Sequence, residues 1–201
     1  MFFYINAPIL IKAVWSLSPI SSAKDLPKVY FFRIFAKENQ QKKHMKFTLL
    51  VVGRTVEKHY ITAIDDYVAR TKHFISFDME VIPELKNTKS LSAEQQKEKE
   101  GELILKSLQP GDVVVLLDEH GKEFRSIEFA DWVERKMHTV NKRLVFIIGG
   151  PYGFAPKIYE VAQEKISLSK MTFSHQMIRL IFVEQLYRAM TILNNNPYHH
   201  E

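Results

Sequence analysis

From residue 46 onward, short unbroken apolar runs alternate with segments whose apolar residues recur every three or four positions. The first pattern predicts buried strands and the second amphipathic helices. Residues 47–52 read as a first strand stopped by Gly53, and residues 57–74 as a helix with Tyr60, Ile61, Ile64, Tyr67 and Val68 along one face. Residues 77–82 form a second strand ended by Pro83, and residues 84–90 are polar and turn-prone. A helix opens at Ser92, with Gln95 at capping-box spacing, and carries Leu103, Ile104 and Leu108 inward until Pro110-Gly111 stops it. Residues 113–117 are continuously apolar, as expected of a central strand buried on both faces, and end in Asp118-Glu119-His120-Gly121-Lys122. A helix over 126–137, a strand over 144–148, a short helix over 156–164 opened by Pro156, and a short strand over 166–168 follow. The whole predicts an α/β domain with a mainly parallel sheet flanked by helices.

The last helix, residues 176–193, departs from the pattern because it is apolar nearly all round: Met177, Ile178, Leu180, Ile181, Phe182, Val183, Leu186, Tyr187, Met190, Ile192 and Leu193. A surface helix should show a polar face, so this one needs a second partner. A twofold homodimer supplies it most simply, and complete enclosure within one subunit is the alternative. The chain then ends on the polar tail Asn194-Asn195-Asn196-Pro197-Tyr198-His199-His200-Glu201.

Charge changes the picture less than its total suggests. The net charge of +5 looks like a nucleic-acid signal. Yet seven of the 28 Lys and Arg and two of the 23 Asp and Glu lie in residues 1–44, which leaves 21 of each in residues 45–201. Any polyanion must therefore meet a local patch, a pair of such patches, or the first 44 residues. Those residues have no clear period, and Asn6, Pro8 and Lys12 break the apolar stretch that a secretory signal needs. Met45 runs straight into the first strand, so residues 1–44 are expected to be a poorly ordered extension upstream of a start at Met45. With no cysteine, disulfides and thiolate chemistry are excluded, and a cytoplasmic setting is expected. No run is long enough to span a bilayer, so no membrane role is expected.

Ligands of parallel α/β sheets sit beyond the carboxyl ends of the strands. Three of these ends are distinctive: Leu116-Leu117-Asp118, Gly149-Gly150-Pro151-Tyr152-Gly153, and Ser169-Lys170-Met171-Thr172. Neither G-x-G-x-x-G nor G-x-x-x-x-G-K-[ST] occurs, which disfavours a ligand gripped by its pyrophosphate. Close backbone approach at Gly149, Gly150 and Gly153, with Leu117, Leu168, Met171 and Phe173 nearby, suits a flat uncharged group such as adenine. A plain turn is the bland reading of Gly-Gly-Pro. No metal is expected, because His199-His200-Glu201 are adjacent residues without a supporting H-x-x-x-H or carboxylate pair. His175 is expected to cap the last helix or touch the loop before it. Glu184 and Arg188, four apart, form either a modest surface pair or a buried pair near the ligand. No serine stands in a G-x-S-x-G context.

Four segments in this order carry a resemblance: Ile147-Ile148-Gly149-Gly150-Pro151-Tyr152-Gly153, Leu168-Ser169-Lys170-Met171-Thr172-Phe173-Ser174-His175-Gln176, Glu184-Gln185-Leu186-Tyr187-Arg188-Ala189, and Pro197-Tyr198-His199. Over residues 45–201 the chain resembles the RlmH family, small SPOUT-class methyltransferases that N3-methylate a pseudouridine of 23S, large-subunit ribosomal RNA in the assembled ribosome. The resemblance implies a SPOUT-type α/β fold with a C-terminal trefoil knot, a homodimer joined through the last helix, and S-adenosyl-L-methionine held in the knot. It places cofactor contacts on Leu117, Gly149, Gly150, Leu168, Ser169, Lys170, Met171, Thr172 and Phe173. Tyr198 and His199 are expected at the methyl group and target base, in a site composed by both subunits. His199 as base, Arg188 as electrostatic stabiliser and Tyr198 as the group orienting the base complete the implied catalytic set. Ser174 departs from the proline common before the histidine, which is expected to loosen that loop. His200 departs from the usual basic residue, which puts a cationic RNA contact there in doubt. Arg54, Lys58, Lys72, His73 and residues 86–89 are candidate phosphate contacts, against solvated surface as the bland reading. A ribosome-binding factor that keeps the fold without chemistry is the competing function class, and a generic hydrolase or nucleotide-binding domain is a third.

Overall fold

The computed structural model describes residues 45–199, and within them strand and helix alternate as the apolar pattern predicts. In chain order the elements are β1 (Lys46–Val52), α1 (Lys58–Lys72), β2 (Phe77–Ile82), α2 (Ala93–Ser107), β3 (Asp112–Glu123), α3 (Ser126–Thr139), β4 (Arg143–Ile148), α4 (Pro156–Val161), β5 (Glu164–Ser167) and α5 (His175–Leu193). A single turn of 3₁₀ helix, Thr88–Ser90, precedes α2. The expectation of a poorly ordered extension over residues 1–44, and that concerning His200, lie outside the described residues.

The five strands order as β2-β1-β4-β3-β5 and every pairing is parallel. Alternate residues of the central strands feed two separate cores, which is why residues 49–52, 113–117 and 144–148 are continuously apolar. Phe47, Leu49 and Val51 of β1 and Leu144, Phe146 and Ile148 of β4 pack against α1, α3 and α5. Leu50, Val52, Val145 and Ile147 pack on the other face against Ile104 of α2 and Ile158 of α4. At the amino end of the sheet, buried Arg143 is held by Asp112, at 3.0 and 2.6 Å, with Glu80 at 3.3 Å and the Ser107 carbonyl at 2.9 Å.

Three local features differ from the sequence expectation. First, β3 does not end at Leu117. Leu117 and Lys122 both register with Ile166, so Asp118 to Gly121 stand out of the ladder as a bulge before the strand resumes to Glu123. Gly121 makes this possible: a Cβ there would lie 2.5 Å from the Ile166 carbonyl carbon and 2.6 Å from its nitrogen. Second, α4 stops at Val161 and β5 starts early. The Gln163 amide donates to the Val114 carbonyl at 3.0 Å and its side-chain oxygen accepts from the Val114 amide at 2.6 Å, which draws the chain into pairing with β3. Third, Ser174 and not His175 caps α5, accepting from the Met177 amide at 3.3 Å, so this residue fixes the start of the helix. His175 is the first helical residue and not the cap. The capping box of Ser92 and Gln95 forms as expected, with both reciprocal bonds made.

Helix α5 lies between α1 and α3, with Phe182, Val183, Leu186, Ala189 and Met190 fully buried. Its enclosure within the chain is incomplete, since Met177 is exposed and Leu180, Ile181, Tyr187, Ile192 and Leu193 are only part-buried.

Candidate functional site

The carboxyl ends of β3, β4 and β5 open into two adjoining cavities. The larger, about 570 Å³, is walled by Leu117, Gly149, Gly150, Gly153, Phe154, Tyr159, Thr172 and Phe173 among others. A narrower one of about 120 Å³ lies against Leu117, Ser167, Leu168, Ser169, Met171, Thr172 and Phe173. The sequence-derived cofactor residues thus converge from three strand ends, with one exception. Lys170 lines neither cavity; its ammonium stands in solvent, 3.8 Å from Glu123.

Backbone dominates this region. In the 149–153 loop the Gly153 amide donates to the Gly150 carbonyl at 3.1 Å, with Gly153 at φ +78°. In the 168–173 loop, Ser169 accepts from the Met171 amide at 2.9 Å while its own carbonyl accepts from the Ser167 hydroxyl at 3.0 Å. The loops are therefore braced by short-range bonds; glycine main chain with apolar Leu117, Ile148, Phe154 and Phe173 forms one part of the cavity wall, as a flat uncharged group requires, while Lys97, Asp118, Glu119, His120 and His175 line the rest.

Sequence reasoning named Asp118 as a strand end but missed it, with Tyr159, as site residues. Tyr159 donates to Asp118 at 2.6 Å and the His120 amide donates to its other oxygen at 2.8 Å. Burial, then the Asp118 carboxylate, push the Tyr159 hydroxyl up to about 12. Burial works against the Asp118 charge, but the bonds from Tyr159 and His120 outweigh it and hold the carboxyl below its usual range. The polar residues after Leu117 were the signal; the bulge that folds them back over the cavity was not visible.

A third cavity of about 350 Å³ lies beyond the ends of β1 and β4, lined by Arg54, Val56, Glu84, Leu85, Gln96, Glu100, Gly150, Pro151, His175, Gln176 and Arg179. Gly150 and His175 line this cavity and the largest one, so the two spaces share a wall. Arg179 is 2% exposed; it donates to the Val52 carbonyl at 2.7 Å and to Thr55 at 3.0 Å, and its Nε has no partner. Burial lowers the Arg179 pKa, only partly offset by Glu84 at a distance. Burial, then the charge of Arg179, lower that of His175. Glu100 has one oxygen bonded to Gln96 at 2.8 Å and the other unpartnered against Gly150, and burial raises its pKa.

The residues expected to act on the target base gather elsewhere. Arg188 pairs with Glu184 on α5, both side chains part-buried, and neither residue lines one of the three cavities. The Tyr198 hydroxyl meets Glu184 at 3.1 Å and Tyr67 at 3.0 Å, and the Arg188 guanidinium lies 4.8 Å from the Tyr198 ring centre. Burial, then the Tyr67 and Glu184 contacts, raise the Tyr198 pKa. Both ring nitrogens of His199 are buried without a partner. The tail folds back on α1 and α5, so Arg188, Tyr198 and His199 line none of the three cavities within one chain. Among the described residues no group of His, Asp or Glu is placed to hold a metal ion, and no helix is long and apolar enough to cross a membrane. Of the candidate phosphate contacts, Lys72 pairs with Asp78 at 3.1 Å and Arg54 lines the third cavity.

A family model described as "Predicted SPOUT methyltransferase" matches residues 45–199. A protein of Phocaeicola vulgatus called ribosomal RNA large subunit methyltransferase H is 92% identical over 157 residues, which cover 78% of this chain and all of that protein. One of the same description from Porphyromonas gingivalis is 55% identical over the same coverage. Among solved structures, a probable methyltransferase from Bordetella pertussis Tohama I is a distant likeness, at 11% identity and a TM-score of 0.45 over 77% of this chain and 99% of that one. With more than three quarters of its length matched in this way, the chain belongs to the SPOUT methyltransferases, in the family of ribosomal RNA large subunit methyltransferase H.

Proposed function

We propose that this RNA methyltransferase transfers a methyl group from S-adenosyl-L-methionine to N3 of a pseudouridine in 23S ribosomal RNA, acting on the assembled ribosome in the cytoplasm. The observation that carries this reading is the cavity at the ends of β3 and β4, walled by the glycine loop at 149–153 and the apolar loop at 168–173. Leu117, Gly149, Gly150, Leu168, Ser169, Met171, Thr172 and Phe173, which line the two cavities, would hold the adenosyl group largely through main chain. Lys170 lines neither cavity and is not among these contacts. When bound, the cofactor supplies an electrophilic methyl: the S–CH₃ bond breaks, its electron pair stays on sulfur, and the N3–CH₃ bond forms as N3 loses its proton.

The chain acts as a homodimer, with α5 of two subunits packed so that the tail of one reaches the cavity of the other. Two features support this: α5 keeps part-buried apolar residues incompletely covered, and His199 and Tyr198 do not line the cavity of their own chain while His199 has no partner for either nitrogen. His199 accepts the imide proton, Tyr198 orients the ring, and Arg188 supplies positive charge. A C-terminal trefoil knot, which the SPOUT fold implies, is part of this reading. The neutral charge of residues 45–201 suits recognition of a shaped ribosomal surface over bare RNA. Mass spectrometry of large-subunit RNA from cells lacking the protein tests the reading: one methylated pseudouridine should become unmethylated. An unchanged modification pattern refutes it.

A further inference from the structure

A buried arginine normally has a carboxylate partner, because an uncompensated charge in the interior is costly. Arg143 obeys this, with Asp112 and Glu80 around it. Arg179 does not. It is more deeply buried than Arg143, yet among the described residues no carboxylate forms an ion pair with it, and only two of its five N–H groups donate within the chain. Its carbonyl and hydroxyl partners carry no charge, and only the more distant Glu84 offsets its own. Arg188 differs, since Glu184 neutralises its charge.

Arg179 lies on the cavity beyond β1 and β4, and this position is significant in the topology. From β1 the chain crosses to β2 on one side, while β4 lies on the other, so the crevice between β1 and β4 is a switch point of the sheet, where α/β folds place ligands. At about 350 Å³ the cavity is within the range of small-ligand sites. Its charged and titratable groups are Arg54 before α1, Glu84 after β2, Glu100 on α2, and His175 and Arg179 on α5. Two carboxyl groups on the wall disfavour a phosphate. Apolar Val56, Leu85 and Pro151, with amide and carboxyl groups between them, suit a flat neutral ring with hydrogen-bonding edges. Gly150 and His175, shared with the cofactor cavity, set such a ring beside the methyl donor.

We propose that this cavity receives the target base, and that Arg179 is a catalytic residue that stabilises the anion its imide forms as N3 loses its proton. The inference rests on the proposed methyl transfer to a pyrimidine imide. As the proton passes from N3 to the base, negative charge spreads onto the two carbonyl oxygens flanking N3. The methyl transfer then consumes that charge, leaving neutral methylated ring and neutral thioether. A fixed guanidinium in a site shielded from water stabilises the intermediate anion more than the neutral ring, which is the condition for accelerating the step.

The test uses the full chain with large ribosomal subunits that lack the methyl group, comparing wild type, Arg179→Gln and Arg179→Lys. Cofactor affinity is read by calorimetry and single-turnover methylation by isotope transfer between about pH 6 and pH 9. Arg179→Gln should slow methylation by about 100- to 1000-fold with cofactor Kd unchanged within about threefold. Its rate should go on rising with pH where the wild type levels off, because solution must now supply the ionised imide. Arg179→Lys, which keeps the charge, should recover part of the rate and restore the level profile; if Arg179→Gln does not fold, the Lys variant against wild type decides through the same profile. A wild-type rate in Arg179→Gln overturns the inference. So does a loss of rate accompanied by an equal loss of cofactor affinity and an unchanged pH profile, which marks a purely structural arginine. Wild-type protein that binds the cofactor but transfers no methyl overturns the reaction itself, and this role with it.

Discussion

Replacing Gly121 by alanine tests whether the bulge in β3 shapes the cofactor cavity. The added methyl would lie 2.5 Å from the Ile166 carbonyl carbon, 2.6 Å from the Ile166 nitrogen and 2.7 Å from the Lys165 carbonyl carbon. All three atoms are backbone, so no side-chain rotation relieves the contact. Carbon atoms settle at about 3.5–4.0 Å, so β5 must retreat from the bulge by about 1 Å. β5 is only four residues long and among the described residues its only partner strand is β3, at Val115 to Leu117 and again at Lys122 and Glu123, so the movement loosens its attachment to the sheet. Overpacking of this kind costs about 1–3 kcal/mol, which for a domain of this size is a fall in Tm of about 2–12 °C. Function should suffer further, because β5 leads directly into the 168–173 loop on the cavity wall. Misplacing binding groups by about 1 Å can lower activity by about 100-fold. Thermal melting and calorimetric titration with S-adenosylmethionine read both effects. A Gly121→Ala protein with wild-type Tm and wild-type cofactor affinity refutes the argument that this backbone crossing is sterically closed.

Other perturbations follow from single interactions. Arg143→Ala leaves Asp112 buried without its cation and should cost about 3–5 kcal/mol in urea unfolding, with the fold otherwise retained. Ser92→Ala removes one half of the capping box on α2 and should cost about 0.5–2 kcal/mol by the same measurement. Glu100 gives a pH signature. Its pKa is raised above the ordinary 4.5 by burial, so its contribution is most favourable below that value and is lost as pH rises through the folded pKa. Glu100→Gln should therefore gain stability relative to wild type as pH rises from the ordinary carboxylate range toward neutrality, with the gap closing in acid. Melting curves across that range check it, and a pH-independent gap contradicts the burial argument. His199→Ala should lower methylation without weakening cofactor binding; unchanged turnover removes His199 as the base.

Much of the fold was legible in the chain because both faces of the central parts of β1, β3 and β4 are buried, so residues 49–52, 113–117 and 144–148 are apolar without interruption and cannot be mistaken for loops. The capping box at Ser92 and the all-apolar last helix were visible for the same kind of reason, being local patterns with local causes. The glycine loop and the 168–173 loop were legible as cavity walls because strands that end in bare backbone advertise it in sequence. Only the tertiary structure showed that β3 resumes after a bulge, since this depends on Gly121 meeting the Ile166 backbone, a contact between residues far apart in the chain. It also placed Lys170 outside the cavities and drew Tyr198 and His199 onto α1 and α5, because side-chain direction and tail docking follow from packing and not from order along the chain. Arg179 is the clearest case. In sequence it is one more cation on the last helix, whereas its burial without an ion-pair partner, beside a cavity that shares a wall with the one proposed for the cofactor, exists only once β1, α2 and α5 have come together.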